Sequence, residues 1–491
     1  MEKKIYNLLA FDLGASNGRA ILGRFDGEKV EMQELHRFEN NFIEMNGVCY
    51  WDLPYLYHQL KQGLLAFRQL GLGDLDCIGI DTWGVDYGLL DKNGHLLGNP
   101  RAYRMAVDAD VERVRETVDF PTLFARTGIA NLNFNTVYQL ARRKAEGDVA
   151  LDNAETLLLM PDLLGYFLTG EKKSEYTNVT TGMIYDPIQK DWDWATIDAL
   201  GLPRHIFTEM DQAGQLRGRL RLEVAEELGL NQANFAAVGT HDTASAVAAI
   251  PGSGSFAFCS SGTWSLFGVE TDEPILTDTV REANFSNEGT VQGGFRPLKN
   301  IMGLWLIQEC RRDWAKKTGV TYSWNEIVEE AQKVEPLRTI IDPDYGEFFS
   351  GGDMVRKVQD YCHKVGQPVP ETVGQVARAI YESLALKYRW ALERLEEIKG
   401  QHIDQLNIVG GGSQNKLLNQ MVADAINRPV VTGPVEGAAL GNLLMQAKAL
   451  GLLDDMEKAR QVVRYSEAVY TYAPTYTDAW EKAYNTLLSQ L

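Results

Sequence analysis

The sequence predicts an α/β protein built from two domains. Its 491 residues are long for one domain and comfortable for two. Apolar runs of strand length alternate with helical stretches, and small polar residues stand where the strands end. Residues 11–16 and 258–263 are alike in pattern and lie about half the chain apart, which predicts two domains of similar build.

The first half opens with a predicted β-meander, because its apolar runs are separated by turns that contain glycine, and the helix that follows has an apolar period near 3.6. The predicted strands are Tyr6–Leu13 and residues 19–25, 29–38, 76–81 and 87–90, and the predicted helix is 53–70.

The second half repeats this pattern of apolar strands, turns and helices, and its last helices are more strongly predicted. A long helix is predicted over 372–399, with Gly400 where a C-terminal cap belongs. The other predicted strands are 235–238, 255–260, 264–269 and 406–409, and the other predicted helices are 244–250 and 416–426. A glycine- and serine-rich segment after an alanine-rich one places the domain boundary near residues 245–255, giving domains 1–248 and 249–491.

Composition narrows the function classes. The net charge of −19 argues against a nucleic-acid partner, whose phosphates need a basic face, but leaves room for ATP. Five cysteines, none at C-x-x-C spacing, predict neither a disulfide framework nor a zinc site. Asp12 interrupts the first apolar stretch, and the most apolar later run, 157–168, is broken by proline and aspartate. We therefore expect a cytoplasmic protein without a membrane partner.

The first candidate functional loop is Asp12-Leu13-Gly14-Ala15-Ser16-Asn17-Gly18-Arg19. Glycines let backbone N–H groups approach a phosphate, Arg19 can add a charged hydrogen bond, and Asp12 can hold Mg²⁺ directly or through water. It is not a Walker loop, because it lacks the lysine and precedes a strand. The alternative is a tight hairpin turn with a solvated aspartate.

The second loop is residues 239–246, which follow an apolar strand. A carboxylate at Asp242 is well placed to take a proton from a hydroxyl nucleophile. The alternative is that Asp242 or Thr243 caps the following helix. His241, taken alone, is more often a hydrogen-bonded structural histidine.

Three further loops are weaker on their own. Residues 260–265 are rich in hydroxyls and suit phosphate oxygens, although an ordinary polar turn is the simpler interpretation. Residues 410–415 form a glycine-rich turn into a helix, which can bring backbone against a nucleoside or merely allow a flexible helix entry. Trp83 beside a glycine in 81–86 suits the apolar face of a sugar, and equally suits a buried core.

The order of these loops resembles the FGGY carbohydrate kinases, members of the actin, hexokinase and Hsp70 fold. The resemblance is carried by FDLGASNGRAIL, GIDTWGVDYGLLD, GTHDTASAV, SSGTWSLFG, KNIMGLWLIQECRR and IVGGGSQN, which run from residue 11 to residue 415. It implies two actin-like (ribonuclease H-like) domains with the active-site cleft between them. Residues 1–248 would bind the sugar and residues 249–491 the nucleotide.

The resemblance also implies roles for single residues. Asp242 would be the proton acceptor, and Asp12 would orient Mg²⁺. The residues implied in sugar binding are Gly84, His241, Asp242, Thr243 and Asn300. The residues implied in ATP binding are Ala15, Ser16, Asn17, Gly18, Arg19, Thr263, Gln308 and Gly411. Asn17 departs from the serine expected at its position, and Ser413 stands where some relatives have cysteine; neither change alters the chemistry.

The combination of THDTASA, SGTWS and KNIMGLWLIQ resembles one branch of the family, whose substrate is L-rhamnulose. The resemblance therefore implies transfer of the γ-phosphoryl group of ATP to the 1-hydroxyl of L-rhamnulose, with Mg²⁺, in a monomer or homodimer. Another ketose or polyol, such as L-fuculose or xylulose, stays open as the substrate. A non-catalytic sensor of sugar or nucleotide on the same fold is the second alternative, and the carboxylate at Asp242 favours an enzyme over it.

Overall fold

The structure, a computed structural model, describes residues 4–252, 254–475 and 478–491. It divides into two compact units. Unit 1 contains Met1–Ala249, Glu270–Pro297 and Gly437–Glu467, and unit 2 contains Ile250–Val269, Leu298–Glu436 and Ala468–Leu491. Segments 270–297 and 437–467, which follow the predicted boundary in the chain, thus pack within unit 1. The assignment of sugar binding to residues 1–248 and of nucleotide binding to 249–491 stays a prediction.

The elements are numbered in chain order. The strands are β1 (Tyr6–Leu13), β2 (Asn17–Phe25), β3 (Val30–Glu39), β4 (Ile43–Met45), β5 (Val48–Tyr50), β6 (Cys77–Thr82), β7 (Tyr87–Leu90), β8 (Thr156–Leu159), β9 (Ser174–Glu175), β10 (Tyr185–Asp186), β11 (Asp191–Trp192), β12 (Met210–Asp211), β13 (Gln215–Arg219), β14 (Asn234–Ala237), β15 (Phe256–Ser261), β16 (Trp264–Gly268), β17 (Ser286–Gly289), β18 (Phe295–Met302), β19 (Gln405–Val409), β20 (Val430–Thr432) and β21 (Tyr470–Tyr472).

The α-helices are α1 (Leu53–Gln69), α2 (Asp108–Arg115), α3 (Phe120–Thr127), α4 (Thr136–Ala145), α5 (Val149–Asp152), α6 (Met160–Thr169), α7 (Tyr176–Val179), α8 (Trp194–Ala199), α9 (Leu222–Leu228), α10 (Asp242–Ala248), α11 (Asp278–Glu282), α12 (Trp305–Thr318), α13 (Trp324–Gln332), α14 (Met354–Val365), α15 (Val373–Lys399), α16 (Lys416–Ile426), α17 (Gly437–Ala449), α18 (Met456–Ser466) and α19 (Asp478–Leu488). Within the described ranges, none of these helices has the length and apolar character needed to cross a membrane.

Each unit is organised around a mixed sheet. In unit 1 the strand order is β13-β14-β6-β1-β2-β3. Strands β1, β2 and β3 are antiparallel neighbours, β6 runs parallel to β1, and β14 runs parallel to β6. In unit 2 the order β18-β16-β15-β19-β20-β21 repeats the same pattern of antiparallel and parallel pairs. The predicted α/β architecture with two domains of similar build is confirmed.

The central strands β1 and β6 of the unit 1 sheet are buried on both faces, as their apolar sequences require. Leu9, Phe11 and Leu13 of β1 pack in one core cluster with residues of α1 and α6. Leu8 and Ala10 point the other way and pack in a second cluster with residues of α10, α17 and α18. This alternation follows from the two-residue period of a strand. The strand ends that carry polar residues are thereby held between two apolar layers.

Local signals explain the helix boundaries. Asp52 caps α1 by accepting a hydrogen bond from the N–H of Tyr55, and the predicted helix at 53–70 is confirmed almost to the residue. Helix α15 begins at a capping box formed by Thr372 and Gln375 and ends at Gly400 in the left-handed conformation. Helix α10 begins two residues earlier than the predicted 244–250, so Asp242 is its first residue.

Candidate functional site

Charged side chains meet where β1, β2 and β6 lie side by side. Asp12 on β1 is in register with Arg19 on β2 and with Asp81 on β6. The guanidinium of Arg19 lies 2.6 Å from Asp12 Oδ2. Asp81 is fully buried; its Oδ2 accepts a hydrogen bond from Asn442 Nδ2 at 2.7 Å, whereas its Oδ1 accepts none from the described residues. The strand ends therefore gather two carboxylates and one guanidinium.

The carboxyl groups of unit 1 affect one another electrostatically. Burial raises the pKa of Asp81 well above its usual value, and the negative charges of Asp12 and Asp242 add to this, while the hydrogen bond from Asn442 opposes it. Burial also raises the pKa of Asp242, where the charge of His241 opposes the shift and that of Asp12 adds to it. Mutual repulsion of this kind makes the region favourable for a cation.

Within the described ranges, no group of three or more histidine, cysteine, aspartate or glutamate side chains has the arrangement of a metal centre. Magnesium does not require one. It binds proteins through one or two carboxylates and takes its remaining ligands from water and substrate phosphates. The unpartnered Oδ1 of Asp81 beside Asp12 is the kind of oxygen such an ion uses.

The loop between β1 and β2 is held by one residue that the sequence analysis did not identify. Asn40 donates its Nδ2 hydrogen to the carbonyl of Gly14 at 2.8 Å, and its backbone N–H to the carbonyl of Ser16 at 3.0 Å. The N–H of Gly14 donates to the carbonyl of Asn17 at 2.8 Å. Ser16 and Asn17 are exposed at the tip. A fixed loop with an exposed tip is suited to receiving a ligand.

The remaining loop residues are more buried. Ala15 packs at the edge of the core cluster that contains Phe38. Gly18 is buried, and a Cβ there would lie 2.2 Å from the Phe38 ring, so packing alone requires glycine at this position. Arg19 is engaged by Asp12. The sequence suggested that Gly18 lets the backbone approach a phosphate. The structure adds a second reason for glycine here, which is its close packing against Phe38.

Asp86 organises the turn that follows β6. Its Oδ2 accepts hydrogen bonds from Trp51 Nε1 at 2.6 Å, Trp83 Nε1 at 3.0 Å and the N–H of Tyr103 at 3.2 Å, and its Oδ1 accepts one from Gln139 at 3.0 Å. Burial raises the pKa of Asp86 to about 6, against these donors. The ring centroids of Trp83 and Trp51 are 4.3 Å apart, and Trp83 is buried. The interpretation of Trp83 as a core residue therefore fits better than that of a sugar platform.

Gly84 occupies a position without room for a side chain. A Cβ there would lie 2.8 Å from Thr181 Oγ1. The next residue, Val85, has φ of 68°, which is unusual for a β-branched residue. Its N–H donates to Thr181 Oγ1 at 3.1 Å, and its carbonyl accepts from Thr136 Oγ1 at 2.7 Å. Surrounding hydrogen bonds thus impose a strained conformation directly beside Gly84, as is common at functional sites.

A buried glutamate ties this turn to the one that precedes α10. Glu175 Oε2 accepts from the N–H and hydroxyl groups of both Thr177 and Thr240, at 2.6–3.1 Å. Asn178 Nδ2 donates to the carbonyls of Thr240 and Trp83 at 3.2 and 3.3 Å. Burial raises the pKa of Glu175 to about 7, although the threonine donors oppose the shift. The Gly84 turn and the Thr240–His241 turn are therefore linked within one polar network.

Asp242 and its neighbours form the start of α10. His241 is the residue before the helix, and its N–H donates to Thr177 Oγ1 at 3.2 Å. His241 Nε2 lies 3.5 Å from Asp242 Oδ1, and Thr243 donates its hydroxyl to the same oxygen at 3.1 Å. The alternative in which Asp242 or Thr243 caps this helix is wrong, because His241 holds the cap position. The Asp242 side chain is 33% exposed, so a substrate can reach it.

Two buried charges lie behind His241. Its Nδ1 is 3.2 Å from Glu288 Oε2 and 3.3 Å from Arg296 Nη2. The same Nη2 is 3.3 Å from Glu288 Oε2, and Arg296 Nε donates to the carbonyl of Gly289 at 2.8 Å. The Arg296 side chain has no solvent exposure. His241 thus stands between a partly exposed aspartate and a buried ion pair.

In unit 2 the structure brings Thr263 and Gln308 together. Thr263 is exposed in the turn between β15 and β16, and its carbonyl accepts the N–H of Trp305, the first residue of α12. Its hydroxyl lies 3.4 Å from Gln308 Oε1. The hydroxyl and the amide are 45 residues apart in sequence, yet form one polar surface.

Gly411 lies in the turn after β19, and its neighbours explain why glycines surround it. Gly410 has φ of 83°, and a Cβ on Gly412 would lie 2.0 Å from Ser261 Oγ. A Cβ on Gly411 would meet no atom within 4 Å, and the residue is exposed. The flanking glycines allow close packing on Ser261, which leaves the Gly411 backbone open to a ligand.

Asn300 lies on β18, opposite Leu266 of β16, and is half-buried. It belongs to unit 2, together with Thr263, Gln308 and Gly411, whereas Gly84 and the residues from His241 to Thr243 belong to unit 1. Its implied role in sugar binding stays a prediction.

Sequence reasoning missed the residues that support the site: Asn40, Asp86, Glu175, Glu288 and Arg296. One signal was available. Residues 174–182 read SEYTNVTTG, a hydroxyl-rich stretch without an apolar period, and the structure buries all of it. Arg296 carried no local signal, because it lies 55 residues along the chain from His241.

Comparisons with known proteins agree with this architecture. Residues 7–249 match the N-terminal domain and residues 257–450 the C-terminal domain of the FGGY family of carbohydrate kinases. A rhamnulokinase of Bacteroides thetaiotaomicron is 42% identical over 484 residues, covering 97% of this chain and 98% of the relative. A rhamnulokinase of Bacillus subtilis is 38% identical over 467 residues, covering 95% of each. The crystal structure of a gluconate kinase from Lactobacillus acidophilus, 16% identical, covers 99% of this chain and 97% of its own with a TM-score of 0.81.

Proposed function

The chain belongs to the FGGY family of carbohydrate kinases, and from that premise we propose that it transfers the γ-phosphoryl group of ATP to the 1-hydroxyl of L-rhamnulose. The products are L-rhamnulose 1-phosphate and ADP. The observation that carries the substrate is the full-length match to relatives named rhamnulokinase. A primary hydroxyl is also the least hindered nucleophile for in-line attack.

In this proposal Asp242 accepts the proton of the attacking hydroxyl. The exposed third of its side chain lets the sugar approach, while the protein around the rest raises the pKa of the carboxyl, which strengthens it as a base. Phosphoryl transfer needs little covalent chemistry from the protein, so the positions of the two substrates dominate the rate. Gly84, His241 and Thr243 of unit 1 bind the sugar together with Asp242, and Asn300 keeps the sugar-binding role that the resemblance implies.

The nucleotide-binding roles that the resemblance implies fall on one loop of unit 1 and on three residues of unit 2. The exposed tip formed by Ser16 and Asn17, with Ala15, Gly18 and Arg19 around it, contacts the phosphates through backbone N–H groups. The residues of unit 2 that contact the nucleotide are Thr263, Gln308 and Gly411. The open backbone at Gly411 and the adjacent hydroxyl and amide of Thr263 and Gln308 support these roles.

The residues at the strand ends fit a magnesium ion. Asp12 would hold it with Asp81, whose Oδ1 lacks a hydrogen-bond donor among the described residues. When bound, the ion neutralises charge on the phosphate oxygens and polarises the transferred group. Arg19 already balances one carboxylate, so the pair Asp12–Arg19 also fixes the direction of the Asp12 side chain. Cytoplasmic location, and assembly as a monomer or homodimer, stay predictions.

A coupled ADP-release assay tests the substrate, with L-rhamnulose, L-fuculose, xylulose, glycerol and gluconate compared under the same conditions. We expect the highest kcat/KM for L-rhamnulose. Stereoisomers leave buried hydrogen bonds unmade, each worth about 1–3 kcal/mol, so weak activity on L-fuculose is compatible with the proposal. A higher kcat/KM for another compound would overturn the substrate, and no sugar-dependent ADP release at all would overturn the kinase function.

Asp242→Asn tests the base. We expect kcat to fall by about 10²–10⁴-fold while the affinity for ATP is nearly unchanged, because the base acts on the sugar hydroxyl. Asp360→Asn, at an exposed helix position of unit 2, is the matched control and should behave as wild type. Activity of Asp242→Asn within a few-fold of wild type would remove Asp242 from the role.

A further inference from the structure

Asp242, His241, Glu288 and Arg296 form a continuous row of polar side chains, in which only Asp242 has been given a catalytic role so far. His241 Nε2 is 3.5 Å from Asp242 Oδ1, and His241 Nδ1 is 3.2 Å from Glu288 Oε2. Arg296 Nη2 is 3.3 Å from both Nδ1 and Glu288 Oε2. Asp242 alone among these four has substantial exposure. The row therefore leads from the substrate side of unit 1 to a buried ion pair.

The neighbours of Nδ1 determine which ring nitrogen of His241 carries the hydrogen. Burial acts to raise the pKa of Glu288, but a protonated His241 and Arg296 together outweigh it and lower that pKa, so the imidazolium and the ionised Glu288 stabilise each other. When the ring is neutral, its one hydrogen faces the nearer of the two carboxylates, because Nδ1 is 3.2 Å from Glu288 Oε2 and Nε2 is 3.5 Å from Asp242 Oδ1. Arg296 Nη2 then donates to Glu288 Oε2, and Nε2 presents its lone pair to Asp242.

We propose that Glu288 and Arg296 are positioning residues that hold His241 with Nε2 ready to receive the proton that Asp242 takes from the sugar. The inference rests on the proposed function, in which Asp242 is the proton acceptor. The O–H bond of the attacking hydroxyl breaks and its proton binds a carboxylate oxygen of Asp242. That new O–H bond then breaks as Nε2 binds the proton, which returns Asp242 to its ionised state. The resulting imidazolium is paired with the ionised Glu288 through Nδ1–H.

The distance of 3.5 Å between Nε2 and Oδ1 has to shorten for this transfer. Catalytic hydrogen bonds are commonly long without substrate and tighten when it binds. The backbone of the histidine is fixed, because its N–H donates to Thr177 Oγ1 at 3.2 Å. The ion pair is fixed as well, since Arg296 Nε donates to the carbonyl of Gly289, whose N–H donates to Thr180 Oγ1 at 2.8 Å. Asp242 is the more exposed of the two side chains, so its rotation is the simplest movement that closes the gap.

Other titratable groups face the members of this row and enter any pH dependence. Glu270 and Tyr176 act on Arg296 through their charge, and Asp12 acts on Asp242. None of these faces Nδ1 as closely as Glu288 does. The effect of Glu288 on His241 can thus be isolated by changing that one carboxylate.

The test compares the pH dependence of kcat for wild type, Glu288→Gln and Glu288→Asp, with saturating ATP and L-rhamnulose, from about pH 5 to about pH 9. Glu288→Gln keeps the size of the side chain and removes the charge that stabilises the imidazolium. We expect kcat to fall about 10-fold and the acid limb of the profile to move to lower pH by about one unit, with KM for ATP unchanged. Glu288→Asp keeps the charge and should keep the acid limb of wild type.

A double-mutant cycle separates positioning from a general structural effect. If Glu288 acts through His241, then adding Glu288→Gln to His241→Asn should lower kcat by less than about 2-fold more. Glu382→Gln is the matched control, because it removes a buried carboxylate of unit 2 that pairs with Arg378 at 2.7 Å. We expect this control to lower Tm and to leave the acid limb in place.

Additive losses in the double variant, or an acid limb that does not move in Glu288→Gln, would overturn the inference, since a structural role lowers activity equally at every pH. If Glu288→Gln does not fold, Glu288→Asp decides through the same double-mutant cycle: a loss of kcat that disappears when His241→Asn is present supports the inference, and a loss that persists in full overturns it. Wild type without L-rhamnulose-dependent ADP release is a separate result, visible before any variant is compared, and it removes the proposed function together with this inference.

Discussion

Gly441→Ala tests how closely the helix that carries Asp242 is packed. Gly441 lies inside α17, where it faces α10. A Cβ at this position would lie 1.8 Å from the carbonyl oxygen of Ser245 and 2.5 Å from its carbonyl carbon. Both are backbone atoms, so no side-chain rotation can relieve the overlap. Since real Cβ atoms essentially never come within 3.0 Å of other atoms, the two helices have to separate locally by about 1 Å.

The expected cost follows from two opposing effects. Replacing a glycine by alanine inside a helix normally stabilises a protein by about 1 kcal/mol. Overpacking a close contact costs about 1–3 kcal/mol, and the upper end applies here because backbone meets backbone. The net loss is then about 2 kcal/mol, which for a unit of about 300 residues lowers Tm by about 3 °C. Because Asp242 is the first residue of α10, kcat should fall as well.

Thermal unfolding and steady-state kinetics of the same preparation measure both effects. Gly346→Ala is the matched control, because Gly346 is exposed and a Cβ there would meet no atom within 4 Å. Its Tm should stay within about 1 °C of wild type, as for a surface substitution. A Tm of Gly441→Ala at or above that of wild type would refute the reasoning, since helix propensity alone would then decide the outcome.

Two further substitutions probe the network around the proposed sugar site. Gly84→Ala places a Cβ 2.8 Å from Thr181 Oγ1, so we expect KM for the sugar to rise about 10-fold while KM for ATP is unchanged; an equal rise in both would contradict a local effect. Glu175 has a pKa of about 7 in the fold against its usual 4.5, so the folded state retains a proton that the unfolded chain loses, and stability falls as pH rises between these values. Glu175→Gln cannot ionise and should flatten that fall in Tm; equal slopes in both proteins would contradict it.

The ends of the strands could be predicted from the sequence because they depend on the local order of apolar and polar residues. A strand buried on both faces appears as an apolar run, and a polar residue that closes the run marks the C-terminal end of the strand, as Asp12 does in β1. Parallel pairing of β1 with β6 then places Asp81 beside it, which follows from topology once the two runs are recognised as neighbours. The similar order of the two sheets explains why the half-chain repeat was visible despite weak identity of the letters.

The sequence did not reveal that segments 270–297 and 437–467 of the second half pack within unit 1. Helix α17 comes late in the chain, yet its apolar face packs on β1 and its amides on buried polar groups: Gln446 donates to the carbonyl of Leu9 at 3.0 Å, and Asn442 to Asp81. Nothing in the local pattern of residues 437–449 distinguishes a helix that covers the nearest sheet from one that covers a sheet formed by the start of the chain. Only the three-dimensional path supplies that information.

Buried polar residues were the hardest to assign, and physical chemistry explains why. A buried carboxylate is tolerable only where several donors converge on it, and these donors come from distant segments, as Trp51, Tyr103 and Gln139 do at Asp86. From the sequence alone, Asp86 and Glu288 look like ordinary surface acids. In the fold both are sequestered, and the direction of their pKa shifts differs, because Asp86 is met by neutral donors and Glu288 by charged ones. The identity of the partner, rather than burial itself, therefore decides in which direction the pKa of such a group moves, and only the folded chain reveals the partner.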